Sequence, residues 1–257
     1  MGLVDSHAHL TFPELIDQIE EVLARARSAG VDQIITVGTN PVDVCKAVEL
    51  ADRFPDCIRA AVGFHPHGAK DVTAADLKTL DGLVDYQAVV ALGEIGLDYH
   101  YDFSPRSVQL DVFDKQLQIA SRCELPLVIH SREAVDETVR ALETSGFAGR
   151  RVVFHCFTGT AEEAASIAEH GWRISFTGVV TFKGSRWLQA IARDYPADRL
   201  MVETDCPYLS PVPVRGKHPN EPAHIAHTVR FLADLRGVSY ETLAEQTAQN
   251  TRDFFGL

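Results

Sequence analysis

The sequence predicts an α/β fold, a single-domain (β/α)8 barrel that spans residues 1–257. Eight apolar runs alternate with amphipathic helical patterns, and metal-binding residue types stand where several of these runs end. The chain length is also common for such barrels, which take about 250 residues. An open doubly wound sheet is the alternative. The positions of the metal-binding residues favour the barrel, because closure brings distant strand ends around one axis.

The eight apolar runs predict parallel strands, because a nearly continuous apolar strand is covered on both faces. In chain order they are Leu3–His7, Gln33–Val37, Ile58–Phe64, Val89–Ile95, Leu127–His130, Val152–His155, Arg173–Thr177 and Leu200–Glu203.

Helical patterns lie between these strands, and Asn40 and Thr160 are N-terminal start signals for two of them. Gly30, Gly146 and Gly171 are typical helix ends. The predicted helices are Pro13–Ser28, Pro41–Arg53, Ala74–Val84, Pro105–Arg122, Ala134–Thr144, Ala161–His170, Ser185–Arg193, Pro222–Leu235 and Tyr240–Phe255. No linker or low-complexity tract interrupts the alternation, which favours one domain.

Composition limits the possible partners and the cellular location. The formal net charge of −12 argues against a broad face for duplex DNA, although a small local basic site remains compatible with it. The five cysteines are scattered without a CxxC pair, and no signal peptide is evident, so we expect reduced thiols in a cytoplasmic protein. No apolar run reaches the about 18 residues of a membrane span. We expect no membrane partner and a monomer.

Six residues of metal-binding type stand at the ends of the predicted strands. They are His7, His9, Glu94, His130, His155 and Asp205. Residues two apart share one face of a strand, so His7 and His9 can point at one ion. Glu94 lies between Gly93 and Gly96, and its two carboxylate oxygens can bridge two cations. A single histidine of this kind is more often structural, and a single carboxylate is often a helix cap. The whole set is better explained by a binuclear centre.

The mixed nitrogen and oxygen ligands suit two divalent ions, Mg²⁺, Mn²⁺ or Zn²⁺. The implied chemistry is hydrolysis by a water molecule that the two metals activate. Asp205 is the predicted base, with Glu94 as the second catalytic residue. Asp5 is expected to orient one imidazole. Cys156 and Cys206 each follow a ligand, so their side chains are expected on the opposite face.

Further residues on the predicted βα loops are candidate substrate contacts. The cations could hold phosphates, Tyr99 could stack on a base, and Glu203 is expected on the same face as Asp205. The candidates are His65, Tyr99, Arg132, Lys183, Glu203 and Arg215. Tyr101 and Tyr208 lie beside the same loops. The competing interpretation of each is loop packing or a solubilising charge.

The motifs together resemble the TatD family of metal-dependent deoxyribonucleases, a branch of the amidohydrolase-like barrels. The matching stretches are DSHAHL, GFHPH, GEIGLDY, HSRE, HCFTG, TGVVTFKG, ETDCPYL, VRGK…NEP and QNTRDFF, from Asp5 to Phe255. The resemblance implies a TIM barrel that hydrolyses DNA phosphodiesters. It also implies one metal held by His7, His9 and Asp205. The other is held by His130 and His155, with Glu94 as the bridge.

The sequence departs from the family pattern at Glu133, at Cys206 and in the RGKHPNEP loop, and none of these changes removes a metal ligand. We therefore expect a 3′→5′ exodeoxyribonuclease that acts on single-stranded DNA or strand ends, with RNA as a further substrate. The alternatives are an amidohydrolase or lactonase that uses the same centre on a small metabolite, and a non-catalytic nucleic-acid-binding protein. Many related amidohydrolases bridge their metals with a modified lysine, and Glu94 at that place favours the nuclease.

Overall fold

A computed structural model describes residues 2–257. Eight parallel strands pair in chain order and curve into a nearly closed barrel, which confirms the (β/α)8 prediction over an open sheet. The strands are β1 Leu3–Ala8, β2 Val31–Gly38, β3 Ile58–Val62, β4 Val89–Asp98, β5 Leu127–Arg132, β6 Val152–Phe154, β7 Arg173–Phe176 and β8 Leu200–Val202.

Helices connect the strands and cover the outside of the barrel. They are α1 Pro13–Ile16, α2 Ile19–Ser28, α3 Pro41–Arg53, α4 Ala74–Leu83, α5 Arg106–Ala120, α6 Val135–Thr144, α7 Ala161–Glu169, α8 Arg186–Asp194, α9 Ile225–Arg236 and α10 Tyr240–Phe255. Short 3₁₀ turns lie at Pro66–Asp71, Gly178–Thr181, Ala197–Arg199 and Pro222–His224. None of the helices within residues 2–257 is long and apolar enough to cross a membrane.

The prediction of one helix over Pro13–Ser28 was wrong, because the chain forms α1 and α2 with a break between them. Gln18 leaves the helical conformation with φ −131° and ψ 33°. Its side-chain amide donates to the carbonyl of Glu14 at 2.9 Å, which satisfies a carbonyl at the end of α1.

The barrel closes between β8 and β1 through a few specific hydrogen bonds. The backbone N–H of Asp205 donates to His7 O at 3.0 Å, and that of His9 donates to Cys206 O at 2.8 Å. The buried Asp5 carboxylate accepts from the backbone and the hydroxyl of Thr204, at 2.9 and 2.6 Å. Asp5 therefore joins the two strands, and the expectation that it orients an imidazole was wrong.

The C-terminal helix covers the end of the barrel where the strands begin. Phe254 and Phe255 of α10 pack in one buried cluster with Ile35, Ala91 and other residues of the strands. The Arg151 guanidinium, just before β6, donates to Phe254 O at 2.6 Å. The opposite end, where the strands finish, remains open to the βα loops, and barrel enzymes carry their chemistry at that end.

Candidate metal centre

The six predicted ligands meet at the open end of the barrel. His7, Glu94 and His130 lie on strands β1, β4 and β5. His155 follows β6 directly, and Asp205 lies three residues after β8. The sixth residue, His9, follows β1. Strands β6 and β8 end earlier than predicted, so two of the ligands are held by loops that continue from short strands.

Four of these residues form one group of donor atoms. Nε2 of His7 and Nε2 of His9 lie 3.3 Å apart. Glu94 Oε2 lies 3.5 Å from the His7 nitrogen and 3.9 Å from the His9 nitrogen. Asp205 Oδ1 lies 3.3 Å from His9 Nε2 and 3.8 Å from His7 Nε2. The donor atoms of His7, His9 and Glu94 lie close enough to one another to hold one cation, and Asp205 Oδ1 lies beside the same two imidazoles.

A second group of donor atoms lies around the other oxygen of the same carboxylate. Glu94 Oε1 lies 2.9 Å from His130 Nδ1 and 2.7 Å from His155 Nε2. The two histidine nitrogens are 3.4 Å apart. Glu94 therefore presents one oxygen to each group of histidines, which is the arrangement of a bridging carboxylate.

Two glycines let β4 bring Glu94 to this position. Gly93 has φ 153° and Gly96 has φ 139°, conformations that favour glycine. A Cβ at Gly93 would collide with Val128 O, and a Cβ at Gly96 would collide with His130 O. The register of β4 against β5 also shifts between Gly93 and Ile95. The close approach of these strands sets Glu94 and His130 side by side.

Two further buried carboxylates contact the outer nitrogens of the histidines. His130 Nε2 donates to Asp98 Oδ2 at 2.9 Å, which leaves Nδ1 free to face the centre. His155 Nδ1 lies 3.3 Å from Glu203 Oε1, and that oxygen also accepts from Cys156 N–H at 2.7 Å. Carboxylates in this position orient metal-binding histidines and make them better ligands.

The charge balance of the centre fits divalent cations. Within residues 2–257, no Lys or Arg nitrogen lies within 4.0 Å of a carboxylate oxygen of Glu94, Asp98, Glu203 or Asp205. Buried carboxylates need a compensating charge, and the basic side chains that contact these four are all imidazoles. The Nε2 atoms of His7 and His9 face each other, so both can bind the same cation. The histidine and carboxylate donors suit Zn²⁺ or Mn²⁺, and Mg²⁺ with additional water.

The protonation states agree with a centre that is rich in negative charge. Burial would raise the pKa of Glu94, but the imidazoles of His155 and His130 hold this pKa well below its ordinary value. Burial also opposes ionisation of Asp205, while its contact with His9 lowers its pKa overall. Both carboxylates are therefore anionic and able to bind cations.

His65 lies beside the centre as a neutral hydrogen-bond donor. Its Nδ1 accepts from the backbone N–H of His67 at 3.1 Å, so its proton is on Nε2. That Nε2 lies 3.2 Å from Glu94 Oε1. Burial lowers the pKa of His65 to about 4, which keeps the imidazole uncharged. His65 can therefore help to fix the bridging carboxylate.

A cavity of about 1230 Å³ opens above the centre, and its lining separates the predicted substrate contacts into two groups. His65 and Arg132 line it. Lys183 and Arg215 are exposed on loops outside this lining, and the Arg215 guanidinium packs 4.0 Å from the centre of the Phe182 ring.

The remaining two predicted contacts, Tyr99 and Glu203, do not line the cavity. The hydroxyl of Tyr99 donates to Glu137 Oε2 at 2.6 Å, and the Arg106 guanidinium packs on the Tyr99 ring. Glu203 is 1% exposed and accepts from the Ser175 hydroxyl at 2.6 Å. The geometry therefore indicates that Tyr99 packs within its loop and that Glu203 supports His155.

Sequence reasoning missed several residues of the mouth. Asp98 and His67 occur in the quoted motifs GEIGLDY and GFHPH, but they received no role. His67 Nε2 donates to Asp98 Oδ2 at 2.9 Å, the same oxygen that holds His130. Phe103 and Trp187 are also exposed near the mouth, and no spacing rule indicated them.

The expected orientation of Cys156 was wrong, because this residue lines the cavity. Strand β6 ends at Phe154, and Cys156 has φ 45°. The alternation of faces along a strand therefore no longer applies to it. Its Sγ lies 3.7 Å from Thr177 Oγ1, and burial raises the pKa of the thiol well above its ordinary value. Cys206 is fully buried, as expected of a residue that points away from the mouth.

Comparison with known proteins gives a consistent result over the whole chain. The model of the family described as TatD related DNase matches residues 4–256. The uncharacterized metal-dependent hydrolase YabD of Bacillus subtilis is 38% identical over 255 residues, which cover 99% of each chain. The 3′-5′ ssDNA/RNA exonuclease TatD of Erwinia amylovora is 35% identical over 259 residues, which cover 99% of this chain and 100% of the relative.

The solved structures give the same result for the fold. The crystal structure of YjjV, a TatD homologue from Escherichia coli K12, superposes with a TM-score of 0.93 at 29% identity. The superposition covers 99% of this chain and 98% of the other.

Proposed function

The chain belongs to the TatD-related DNase family of metal-dependent hydrolases, and we propose that it is a 3′→5′ exodeoxyribonuclease that binds two divalent cations. Its substrate is the end of a single DNA strand, and RNA is a second substrate. The relatives named 3′-5′ ssDNA/RNA exonuclease, at about 35% identity over nearly the whole chain, support this choice.

One observation carries the proposal: the two oxygens of Glu94 face two separate groups of ligands. Oε2 faces His7 and His9, and Oε1 faces His130 and His155. We therefore assign Glu94 as the bridge, with Asp205 completing the first group. Two divalent cations held by these residues would supply an activated water and would neutralise charge on the attacked phosphoryl group.

The protein's own residues position the substrate and accept the proton. Asp205 is anionic and lies at the mouth, so its carboxylate is placed to take a proton from the attacking water. Its side chain is 15% exposed, compared with 4% for Glu94, and is therefore the more accessible of the two. Arg132 lines the cavity and can donate two parallel hydrogen bonds to a phosphate.

The shape and charge of the chain fit a strand end better than a duplex interior. The net charge is −12, so a long basic track along a duplex is not expected. Substrate contacts at a single cavity suit a strand that enters by its end and loses one nucleotide at a time. A small-metabolite hydrolase remains the competing function, because the metal centre alone would serve amides or lactones.

Degradation of a 5′-labelled single-stranded oligonucleotide tests the proposal. The protein is freed of metal with a chelator, and Mg²⁺ or Mn²⁺ is then returned. We expect a ladder that shortens from the 3′ end, with the same pattern for a matched RNA strand. His130→Ala removes one ligand and should abolish the ladder, while Tyr86→Ala, a change of an exposed residue at the far end of the barrel, should leave it unchanged.

A panel of cyclic amides and lactones, assayed under the same metal conditions, distinguishes a small-molecule hydrolase from the nuclease. Turnover of one of these compounds together with an intact oligonucleotide would show that the same centre serves a small molecule.

A further inference from the structure

We propose that Tyr101 and Phe103 form a platform on which one unpaired nucleobase stacks, within the last three nucleotides of the substrate. This inference rests on the nuclease function proposed above and specifies how the protein would select single strands. The two rings lie on the loop between β4 and α5, and Tyr101 lines the cavity that holds Glu94 and His130.

The two rings are stacked on each other and remain open to solvent. Their centroids are 5.3 Å apart with an angle of 11° between the planes. Tyr101 is 47% exposed and Phe103 is 55% exposed. Exposed aromatic surface of this kind is suited to bind a further planar group, and every nucleobase offers one.

Hydrogen bonds hold this loop in place before any ligand arrives. Asp98 Oδ1 accepts from the backbone N–H groups of His100 and Tyr101, at 3.0 and 3.1 Å. The buried Gln109 amide donates to Asp98 O and to Ser104 O, both at 2.9 Å. A prearranged aromatic surface binds more tightly, because less conformational freedom is lost on binding.

The imidazole of His67 supports the platform from the side of the metal centre. Its ring lies edge-on to Tyr101 at 5.5 Å and to Phe103 at 4.8 Å between centroids. Asp98 Oδ2 accepts from both His67 and His130, so a single carboxylate fixes the platform and a metal ligand. The distance from the platform to the centre is thereby set by the fold.

The charge beside the platform identifies the ligand as a nucleotide. The Arg132 guanidinium lies 4.8 Å from the Tyr101 ring centre and also lines the cavity. A planar apolar surface next to a cation that suits phosphate matches a base joined to its phosphate. Inside a duplex both faces of a base are covered by neighbouring bases, so the platform favours an unpaired strand.

The test uses thymidine 12-mers in which a three-carbon spacer replaces one nucleoside at the last, second-last or third-last position. For the wild-type protein, we expect the spacer at one of these three positions to lower kcat/KM by about 5-fold or more, which is the effect of losing one stacked base. The loss should appear mainly as a higher KM, because stacking stabilises the bound substrate and the transition state alike.

For the double variant Tyr101→Ala/Phe103→Ala, kcat/KM on the unmodified 12-mer should fall by about the same factor. Placing the spacer at the sensitive position should then cause no further loss of kcat/KM. Tyr101→Phe keeps the ring and should retain wild-type KM. Tyr86→Ala is the matched control, because Tyr86 is 54% exposed at the opposite end of the barrel. Melting temperatures of all variants check the fold.

The outcomes separate this inference from the proposed function. If the wild-type protein leaves the unmodified 12-mer intact with every metal, the nuclease proposal and the platform are both overturned. If it degrades the 12-mer but tolerates a spacer at all three positions, only the platform is overturned. A double variant that matches Tyr86→Ala in KM would also overturn the platform.

Discussion

The candidate metal centre and the rim of the cavity are built in different ways. At the centre, strand ends place the ligands, and Asp98 and Glu203 contact the outer nitrogens of His130 and His155. At the rim, loops of varied length carry the side chains, and several of them are exposed. The centre is therefore fixed by the barrel itself, whereas the rim depends on local loop structure and is the place where substrate preference can vary.

Asp98 connects the two regions. One of its oxygens accepts from His130 and His67, and the other accepts from the backbone of the loop that carries Tyr101. Glu203, by contrast, supports only the centre through His155, Cys156 and Ser175. Changes to these two carboxylates can therefore test whether the centre and the rim act separately.

The largest effect is expected from Glu94→Gln. The neutral amide keeps the size of the side chain but removes the negative charge shared by both groups of ligands. We expect kcat to fall by more than about 100-fold, beyond the usual effect of changing a residue that only supports a ligand. Glu133→Gln is the control, because Glu133 is an exposed carboxylate that lines the same cavity. Similar activity of the two variants would contradict the bridging role.

Asp98→Asn should have the next largest effect, and it should reach both regions. Loss of the charged partner of His130 is expected to weaken binding of the second cation by about 10- to 100-fold. The backbone contacts to the loop should weaken as well, so KM for an oligonucleotide should rise. Metal titration by calorimetry and steady-state kinetics measure the two effects. An unchanged metal affinity would mean that His130 needs no such support.

Glu203→Gln should affect the centre alone. We expect about a tenfold loss of metal affinity, at the lower end of the range for such supporting residues. The loss of kcat/KM that the spacer causes should be the same as in the wild-type protein, because Glu203 makes no contact with the Tyr101 loop. A changed preference among these oligonucleotides would show that the centre and the rim are coupled by another route.

The smallest effects are expected among the loop cations. Arg132→Ala should lower kcat/KM for an oligonucleotide by about tenfold, as expected for loss of a charged hydrogen bond to phosphate. Lys183→Ala and Arg215→Ala should change it by less than about twofold, because surface charges outside the cavity contribute little. Equal losses in all three variants would place the substrate path over the loops that carry Lys183 and Arg215.

The sequence predicted the barrel and the six ligands for a physical reason. A parallel strand is nearly continuous in apolar residues, so a polar residue at its end is easy to recognise, and closure then brings all such ends together. His155 could be placed in this way, and Glu94 was recognised as the acid in an apolar strand, although β4 continues beyond it to Asp98. Asp205 could be placed only approximately, because the chain leaves β8 at Val202 and Asp205 has φ 52°.

The rim could not be predicted to the same degree. Tyr99 and Tyr101 are two residues apart on one loop, and only the second lines the cavity. Their difference depends on the Asp98 carboxylate, which caps the loop at Tyr101, and on the hydrogen bond from Tyr99 to Glu137, a residue distant in sequence. Strand periodicity carries no information on such loop contacts. Cys156 was placed on the wrong face for the same reason.

Electron paramagnetic resonance of the protein loaded with Mn²⁺ tests the bridged binuclear centre most directly. The metal-free chain is titrated with Mn²⁺, and the stoichiometry and the spin coupling are measured for the wild type and for Glu94→Gln. We expect two Mn²⁺ per wild-type chain with an exchange-coupled spectrum, and loss of this coupling in the variant. A single Mn²⁺ per chain, or two uncoupled ions in the wild type, would contradict a centre bridged by Glu94.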